Sequence, residues 1–311
     1  MISAFQYHRR RSYFSEAALV IFLVAFSISS VQGQGSAVGA SSLKITSHAR
    51  SAALGESDVA ESGRLYAFNM NPASLAGPDG IEVQLSHAQW IQDVQSENLS
   101  ARLPFSFGTV GLLLSTSSVN GIEIRDRPGL PVGTFNARAA RFQLGFASEV
   151  VEEVVIGASI KYLYEKLYVD EATGYGFDIG AIYRIPFEGV TAGLSVTNLG
   201  SMEAFRSATS DLPTTVRLGG SYRFEAPVVT CSVSAAYAND LQGKNSHLQL
   251  GLELLHDEFV AGRVGYQTGF ETRGLSAGIG IRWTMIDLDY AYVPFSLGLG
   301  DAHLFSVGFR F

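Results

Sequence analysis

Six charged residues fall on one side of neighbouring strand-like segments: Glu253, Arg263, Arg282, Asp287, Asp289 and Arg310. The other side of each segment is apolar. An Arg or Lys set against lipid at the bilayer midplane costs about 2–4 kcal/mol, so if the apolar sides face lipid these six must point inward. Two chemistries are open to such a group. One is an ion-pair network that packs an interior and seats an inner segment; the other is a polar gate or substrate path. Arg217 and Arg223 extend the group. Acid–base catalysis fits poorly. Asp287 and Asp289 are i, i+2 neighbours on one strand with arginines nearby, whereas hydrolytic carboxylates oppose each other across a cleft.

Other chemistry is thinly represented. His48, His87, His247, His256 and His303 are scattered without metal-ligand spacing, so no metal is expected. Gly278 and Gly280 lie inside a strand pattern, where they read as interior packing rather than a nucleotide loop. No nucleophile elbow, phosphate loop, Cys-x-x-Cys pair or His-Glu helix motif occurs, and the chain is read as a non-enzyme without cofactor. The net charge of −7 argues against a nucleic-acid partner. Cys231, the only cysteine, cannot form an internal disulfide and falls on an apolar strand side.

The elements that position these residues are strands of period two. Val154, Ile156, Ala158, Ile160, Tyr162 and Tyr164 alternate with a mixed, mostly polar or small set that includes Lys161. Leu248, Leu250, Leu252 and Leu254 alternate with His247, Gln249, Gly251 and Glu253, and Leu275 to Trp283 repeats the pattern. Such runs match tilted membrane strands of about 9–11 residues. The pattern predicts an all-β transmembrane antiparallel barrel of about fourteen strands, with short turns at one end and longer loops at the other. Longer connections are expected at 91–96, 119–135, 166–172, 199–212, 240–244, 268–273 and 294–301. Charged residues make up only 16% of the chain, against roughly 25% in soluble domains. The 33 glycines and 13 tyrosines suit lumen-facing small residues and interfacial aromatic girdles.

The two ends of the sequence agree with a barrel. His8 to Arg11 is basic and 17–26 is a short apolar run, so residues 1–33 read as a secretory signal peptide with the mature chain starting at Gln34. In the last strand Phe305, Val307, Phe309 and Phe311 line one side, an aromatic ending expected to act as an outer-membrane sorting signal. Residues 34–80 lack alternation; Pro72 suits the first position of a short helix. This segment is expected to be a hatch inside the barrel or just beneath it, with 81–311 as the barrel itself.

Ala49-Arg50-Ser51-Ala52-Ala53-Leu54-Gly55, followed by Asn71-Pro72-Ala73-Ser74-Leu75-Ala76, resembles the N-terminal signature of the PorV/PorQ outer-membrane proteins. Asn198-Leu199-Gly200, Arg217-Leu218-Gly219-Gly220-Ser221-Tyr222, Gly262-Arg263-Val264-Gly265-Tyr266 and Asp289-Tyr290-Ala291-Tyr292-Val293-Pro294 are similar to that family too. The resemblance implies a FadL-type barrel of fourteen strands with an N-terminal hatch, in which Arg50, Gly55, Asn71 and Pro72 carry the hatch motif. It implies a binding or assembly role in type IX-like protein secretion, with secreted cargo domains or machinery proteins docking at outer loops, notably 119–135 (Arg125, Asp126, Arg127, Pro128, Pro131) and 199–212 (Phe205, Arg206, Asp211). The alternative is FadL-like transport of small hydrophobic compounds. Outer-membrane lipid is the remaining partner expected, in the bacterial outer membrane.

Overall fold

The computed structural model describes residues 40–311 apart from 78–79, 126 and 204–208. The expected signal peptide over 1–33, and Asp126, Phe205 and Arg206 of the expected outer loops, lie outside the described residues.

The strands are β1 (Glu82–Gln89), β2 (Val94–Phe105), β3 (Gly108–Ile124), β4 (Gly133–Val151), β5 (Val154–Leu167), β6 (Asp170–Arg184), β7 (Val190–Met202), β8 (Ser210–Asp211), β9 (Thr215–Glu225), β10 (Val229–Asp240), β11 (Asn245–His256), β12 (Val260–Gln267), β13 (Leu275–Trp283), β14 (Ile286–Pro294) and β15 (Asp301–Arg310). All belong to one antiparallel sheet. β8 is a two-residue addition beside β7, and the other fourteen strands close a ring in which β7 pairs with β9 and β15 with β1. At the seam, Ile81 N–H donates to Phe311 O at 3.2 Å and Phe311 N–H to Ile81 O at 2.9 Å.

Burial is inverted relative to a water-soluble protein. On β11, Leu250, Leu252 and Leu254 are 40%, 40% and 48% exposed, while Gln249 and Glu253 are each 2% exposed. A belt of exposed Leu, Ile, Val and Phe around a closed barrel with a buried polar interior is what lipid selects. The architecture is that of a bacterial outer-membrane barrel. The turns on the side of Ile81 and Phe311 are short, which marks that end as periplasmic.

Two expected outer loops are largely strand. β3 and β4 stay paired up to Ile124 and Gly133, with a register shift between Val119 and Ile122. β5 and β6 are joined only by Tyr168 and Val169. These hairpins rise past the apolar belt, where polar and apolar side chains mix, as in Ile122, Glu123 and Ile124 of β3 and Glu165, Lys166 and Leu167 of β5. The backbone ladder continues although the lipid-facing signal has ended.

Residues 40–77 fill the lumen. They form a 3-10 turn (Ser41–Lys44), a short helix α1 (Ala49–Ala53) and two further 3-10 turns (Leu65–Ala67 and Pro72–Leu75). His48 caps α1 by accepting from Arg50 N–H at 3.1 Å through Nδ1. Asn71 Oδ1 caps the last turn by accepting from Ala73 N–H at 3.0 Å, with Pro72 at its first position.

Candidate functional site: the interface between plug and wall

The plug winds round the inner wall, and its polar groups are met strand by strand. Ala49 N–H donates to Ser306 Oγ of β15 at 3.0 Å, and Ser276 Oγ of β13 to Ala53 O at 3.1 Å. Gln267 Nε2 of β12 donates to Gly55 O at 2.7 Å. Ser57 Oγ meets Ser234 Oγ of β10 at 2.6 Å, and Thr191 Oγ1 of β7 donates to Ala60 O at 2.9 Å. Asn71 Nδ2 donates to Val59 O at 2.7 Å and to Ala181 O of β6 at 3.2 Å; Arg102 Nε of β2 donates to Leu75 O at 2.6 Å. Each such bond contributes about 0.5–1.5 kcal/mol net, and leaving its buried groups unpaired would cost more.

Glycines on the wall make this close approach possible. A β-carbon at Gly157 of β5 would lie 2.5 Å from the Pro72 carbonyl carbon, and one at Gly278 of β13 2.5 Å from Ala53 Cβ. Gly111, Gly145, Gly180, Gly193, Gly251 and Gly265 present the same bare backbone to Leu75, Phe68, Asn71, Val59, Ser57 and Gly55. Apolar plug residues Leu65, Phe68, Ala73, Leu75 and Ala76 share a core with Leu113, Ala147, Val155 and Ile182 of the wall.

The six charged residues picked out in the sequence form two neighbouring groups. Glu253 accepts from plug residue Arg50 (Nη2–Oε1, 2.7 Å) and from Arg263 (Nε–Oε2, 2.5 Å), and Arg263 reaches Asp289 at 2.7 Å. Asp287 takes Arg310 at 2.7 Å and lies 3.9 Å from Arg282, which also reaches Glu258 at 3.3 Å. The Arg50 guanidinium stacks 4.3 Å from the Tyr66 ring centroid. Arg217 stands apart, bonded to Thr197, whereas Arg223 bonds Glu225 and lies 3.9 Å from Glu258, the partner of Arg282, and so extends the second group. Asp287 and Asp289 are both engaged by arginines. Phe305 and Phe311 of the last strand face outward, 52% and 69% exposed. Among the described residues no group of three or more His, Cys, Asp or Glu is arranged to hold a metal.

A second polar centre went unnoticed in the sequence. Lys161 Nζ lies 2.9 Å from Asp178 Oδ1 and donates to Asn198 Oδ1 at 2.6 Å, while Ser159 Oγ and Asn198 N–H donate to Asp178 at 2.6 and 2.7 Å. It sits where the β6–β7 register shifts between Phe177 and Ile179. The signal was present: Lys161 and Asp178 both occupy lumen-facing positions between apolar outward neighbours.

The plug holds ionisable groups whose proton affinities are displaced. Burial drives His48 down to about 4. Burial pushes Asp58 up to about 7; its Oδ1 accepts from Ser51 Oγ at 2.9 Å and its Oδ2 has no partner among the described residues. Burial disfavours the Arg50 charge, but adjacent Glu253 prevails and raises its proton affinity. For Glu56 burial is likewise outweighed, by Arg273 at 3.2 Å and by the Thr46 hydroxyl, and its proton affinity falls.

Little space remains inside. Small cavities of about 10 Å³ beside Ala52 and Trp90 and about 30 Å³ beside Leu43 and Arg217 border the plug. At the outer end Leu43 of the plug packs on Leu163, Ala172, Met202 and Leu212, and Lys44 Nζ reaches Asp240 at 2.9 Å. A cleft of about 470 Å³ opens at the periplasmic mouth, between plug residues 60–64 and the β6–β7 turn.

No family model matches the chain, and no curated protein matches it in sequence. Solved structures do resemble it. The Pseudomonas putida toluene transporter TodX aligns with a TM-score of 0.61 at 12% identity, covering 86% of this chain and 98% of TodX. The CymD monoaromatic hydrocarbon channel aligns with a TM-score of 0.59 at 12% identity, covering 85% of this chain and 96% of CymD. At this identity the likeness establishes a shared fold: the chain is built as an outer-membrane β-barrel of the same kind.

Proposed function

We propose that the barrel carries small hydrophobic molecules across the outer membrane. The observation that supports this best is the architecture, a fourteen-strand barrel filled by its own N-terminal segment and alignable over nearly the whole of a toluene transporter. A second feature points the same way. Leu163, Ala172, Met202 and Leu212 line an apolar patch at the outer end of the lumen, and Leu43 of the plug occupies it. A small apolar solute would compete with Leu43 for that patch. The residual cavities of about 10 and 30 Å³ are too small for such a solute, so passage requires the Ala40–Lys44 segment to move. Uptake of labelled toluene by cells lacking the protein, and by cells with it restored, tests this reading. Restored uptake supports it, and equal uptake in both strains refutes it.

The secretion-assembly role implied by the PorV/PorQ resemblance is the second reading, and one observation favours it. Leu130 and Val132 at the β3–β4 tip are 92% and 66% exposed, well above the lipid belt. Phe135 beneath them packs edge-on against Tyr168 at 5.4 Å, bracing the two tall hairpins. Apolar side chains grouped at a tip held in water suit contact with a protein partner. Removing residues 125–132 should abolish retention of secretion-machinery proteins on the extracted barrel and leave toluene uptake intact. Unchanged retention counts against docking at this tip.

A further inference from the structure

The membrane-facing wall carries one acid–imidazole pair in an unusual place. His87 of β1 and Glu97 of β2 are direct cross-strand partners, with Nδ1 and Oε1 2.6 Å apart and side chains 44% and 61% exposed. Both point outward. Below them on the same face lie Leu85, Leu99 and Leu114, and Phe305 of β15 stands directly opposite His87. Above them the next outward pair is Gln89 and Gln95. The outward apolar run on β1 ends at Leu85, whereas on β5 it continues from Val154 to Tyr164. On this part of the wall the outward face turns polar at His87, Glu97 and Thr116, which is the cross-strand partner of Glu97.

A cleft of about 480 Å³ runs down from this pair along Leu85, Leu99, Leu114, Phe305 and Val307. Its floor is apolar, and its charge is confined to one end. Among the described residues Glu97 Oε2 and His87 Nε2 have no other partner. The shape matches an amphiphile, with a chain on the leucines and a polar head beside the pair. A carboxylate with a free oxygen calls for a head that donates hydrogen bonds and carries positive charge. A primary ammonium has three N–H donors and can serve Glu97 and a bare imidazole nitrogen together. An anionic head without an amine would face the carboxylate instead.

We propose that this cleft is a specific binding site for an outer-membrane lipid with a primary-amine headgroup of the phosphoethanolamine type. The ammonium sits between Glu97 and His87, and one acyl chain lies along Leu85, Leu99 and Leu114. The site is distinct from the lumen and independent of what the barrel transports.

The test uses the intact barrel in detergent micelles, loaded at neutral pH with equal amounts of phosphatidylethanolamine and phosphatidylglycerol bearing identical chains. Native mass spectrometry then counts the retained lipids. Retention should favour phosphatidylethanolamine by about fivefold, which corresponds to about 1 kcal/mol. The double variant His87→Leu/Glu97→Leu extends the apolar belt, and its folding is checked by heat-modifiable migration; it should retain both lipids equally. Glu97→Gln, which keeps the shape, should lose most of the preference. A second arm compares lipid A with and without a phosphoethanolamine group, and so separates a phospholipid source of the head from a glycolipid one. Equal retention by the native barrel in both arms overturns the proposal. So does a preference that survives the double variant, or a dimer mass that forms at the expense of lipid and is lost in the double variant.

Discussion

Arg50 of the plug and Glu253 of β11 face each other at 2.7 Å, with side chains only 7% and 3% exposed, and so tie the N-terminal segment to a strand 203 residues further along the chain. Removing one member of a buried pair strands the other. Arg50→Ala or Glu253→Ala should destabilise the seated plug by about 3–5 kcal/mol. The change should register as a lower heat-modification temperature and faster tryptic cleavage within residues 40–77. Replacing both residues by methionine removes the stranded charge and should recover much of the loss. If the single variants match the native protein, the pair does not hold the plug.

Gly157 supports the plug by having no side chain. Gly157→Val would drive methyl groups into Pro72 and Ala73, and overpacking of this kind costs about 1–3 kcal/mol or more. Gly262 of β12 is the control, because a β-carbon there meets nothing within 4 Å. Gly262→Ala should leave the thermal midpoint unchanged while Gly157→Val lowers it. Equal midpoints would mean that the plug does not lie against β5.

Leu250 and Gln249 are neighbours with opposite surroundings. Leu250→Arg puts a charge against lipid and should cost about 2–4 kcal/mol if it lies near the midplane. From alternation alone, Gln249→Arg is expected to be mild, since a barrel lumen normally tolerates charge. The packing of this lumen changes that expectation. Gln249 is 2% exposed, so the larger side chain has no room and both variants should be destabilised. Urea titration of the folded barrel in micelles distinguishes the cases; a neutral Gln249→Arg would mean that the lumen is looser than its burial indicates.

His48 and Asp58 should give the plug opposite pH dependences. His48 titrates at about 4 when folded against 6.5 for a free imidazole, so its contribution is present above 6.5 and is lost as pH falls toward 4. Asp58 titrates at about 7 against 3.8, so its contribution is present below 3.8 and is lost as pH rises toward 7. Between pH 4 and 6.5 the two slopes oppose each other. Relative to the native protein, Asp58→Asn should make stability rise more steeply with pH across that window, and His48→Asn should make it fall more steeply. Parallel profiles for all three proteins would exclude both groups as the source.

The wall was legible in the sequence and its contents less so. Alternation such as Leu250-Gly251-Leu252-Glu253 assigns each side chain to lipid or lumen, because exposure of charge to hydrocarbon is heavily penalised. The tall β3–β4 and β5–β6 hairpins were hidden because their upper residues mix polar and apolar types and, on β3, are broken by Asn120-Gly121 and a register shift, so period-two runs there are short. The Lys161–Asp178 pair was missed since its members lie on different strands and meet diagonally across the β5–β6 ladder, so their contact depends on a register that sequence alone does not give. The plug path was invisible for another reason. A wall glycine such as Gly157 reads as generic small-residue packing until the backbone that rests on it is known.

The circuit of the plug also constrains the order of assembly. Its residues touch β15, β13, β12, β11, β10, β7, β6, β5 and β2, yet the ring is closed only where β1 meets β15. A segment already joined to β1 and locked to almost every other strand cannot easily be threaded into a finished cylinder whose glycine hollows fit it so closely. The N-terminal segment is therefore expected to act as a mould, in place before the seam between β1 and β15 closes around it.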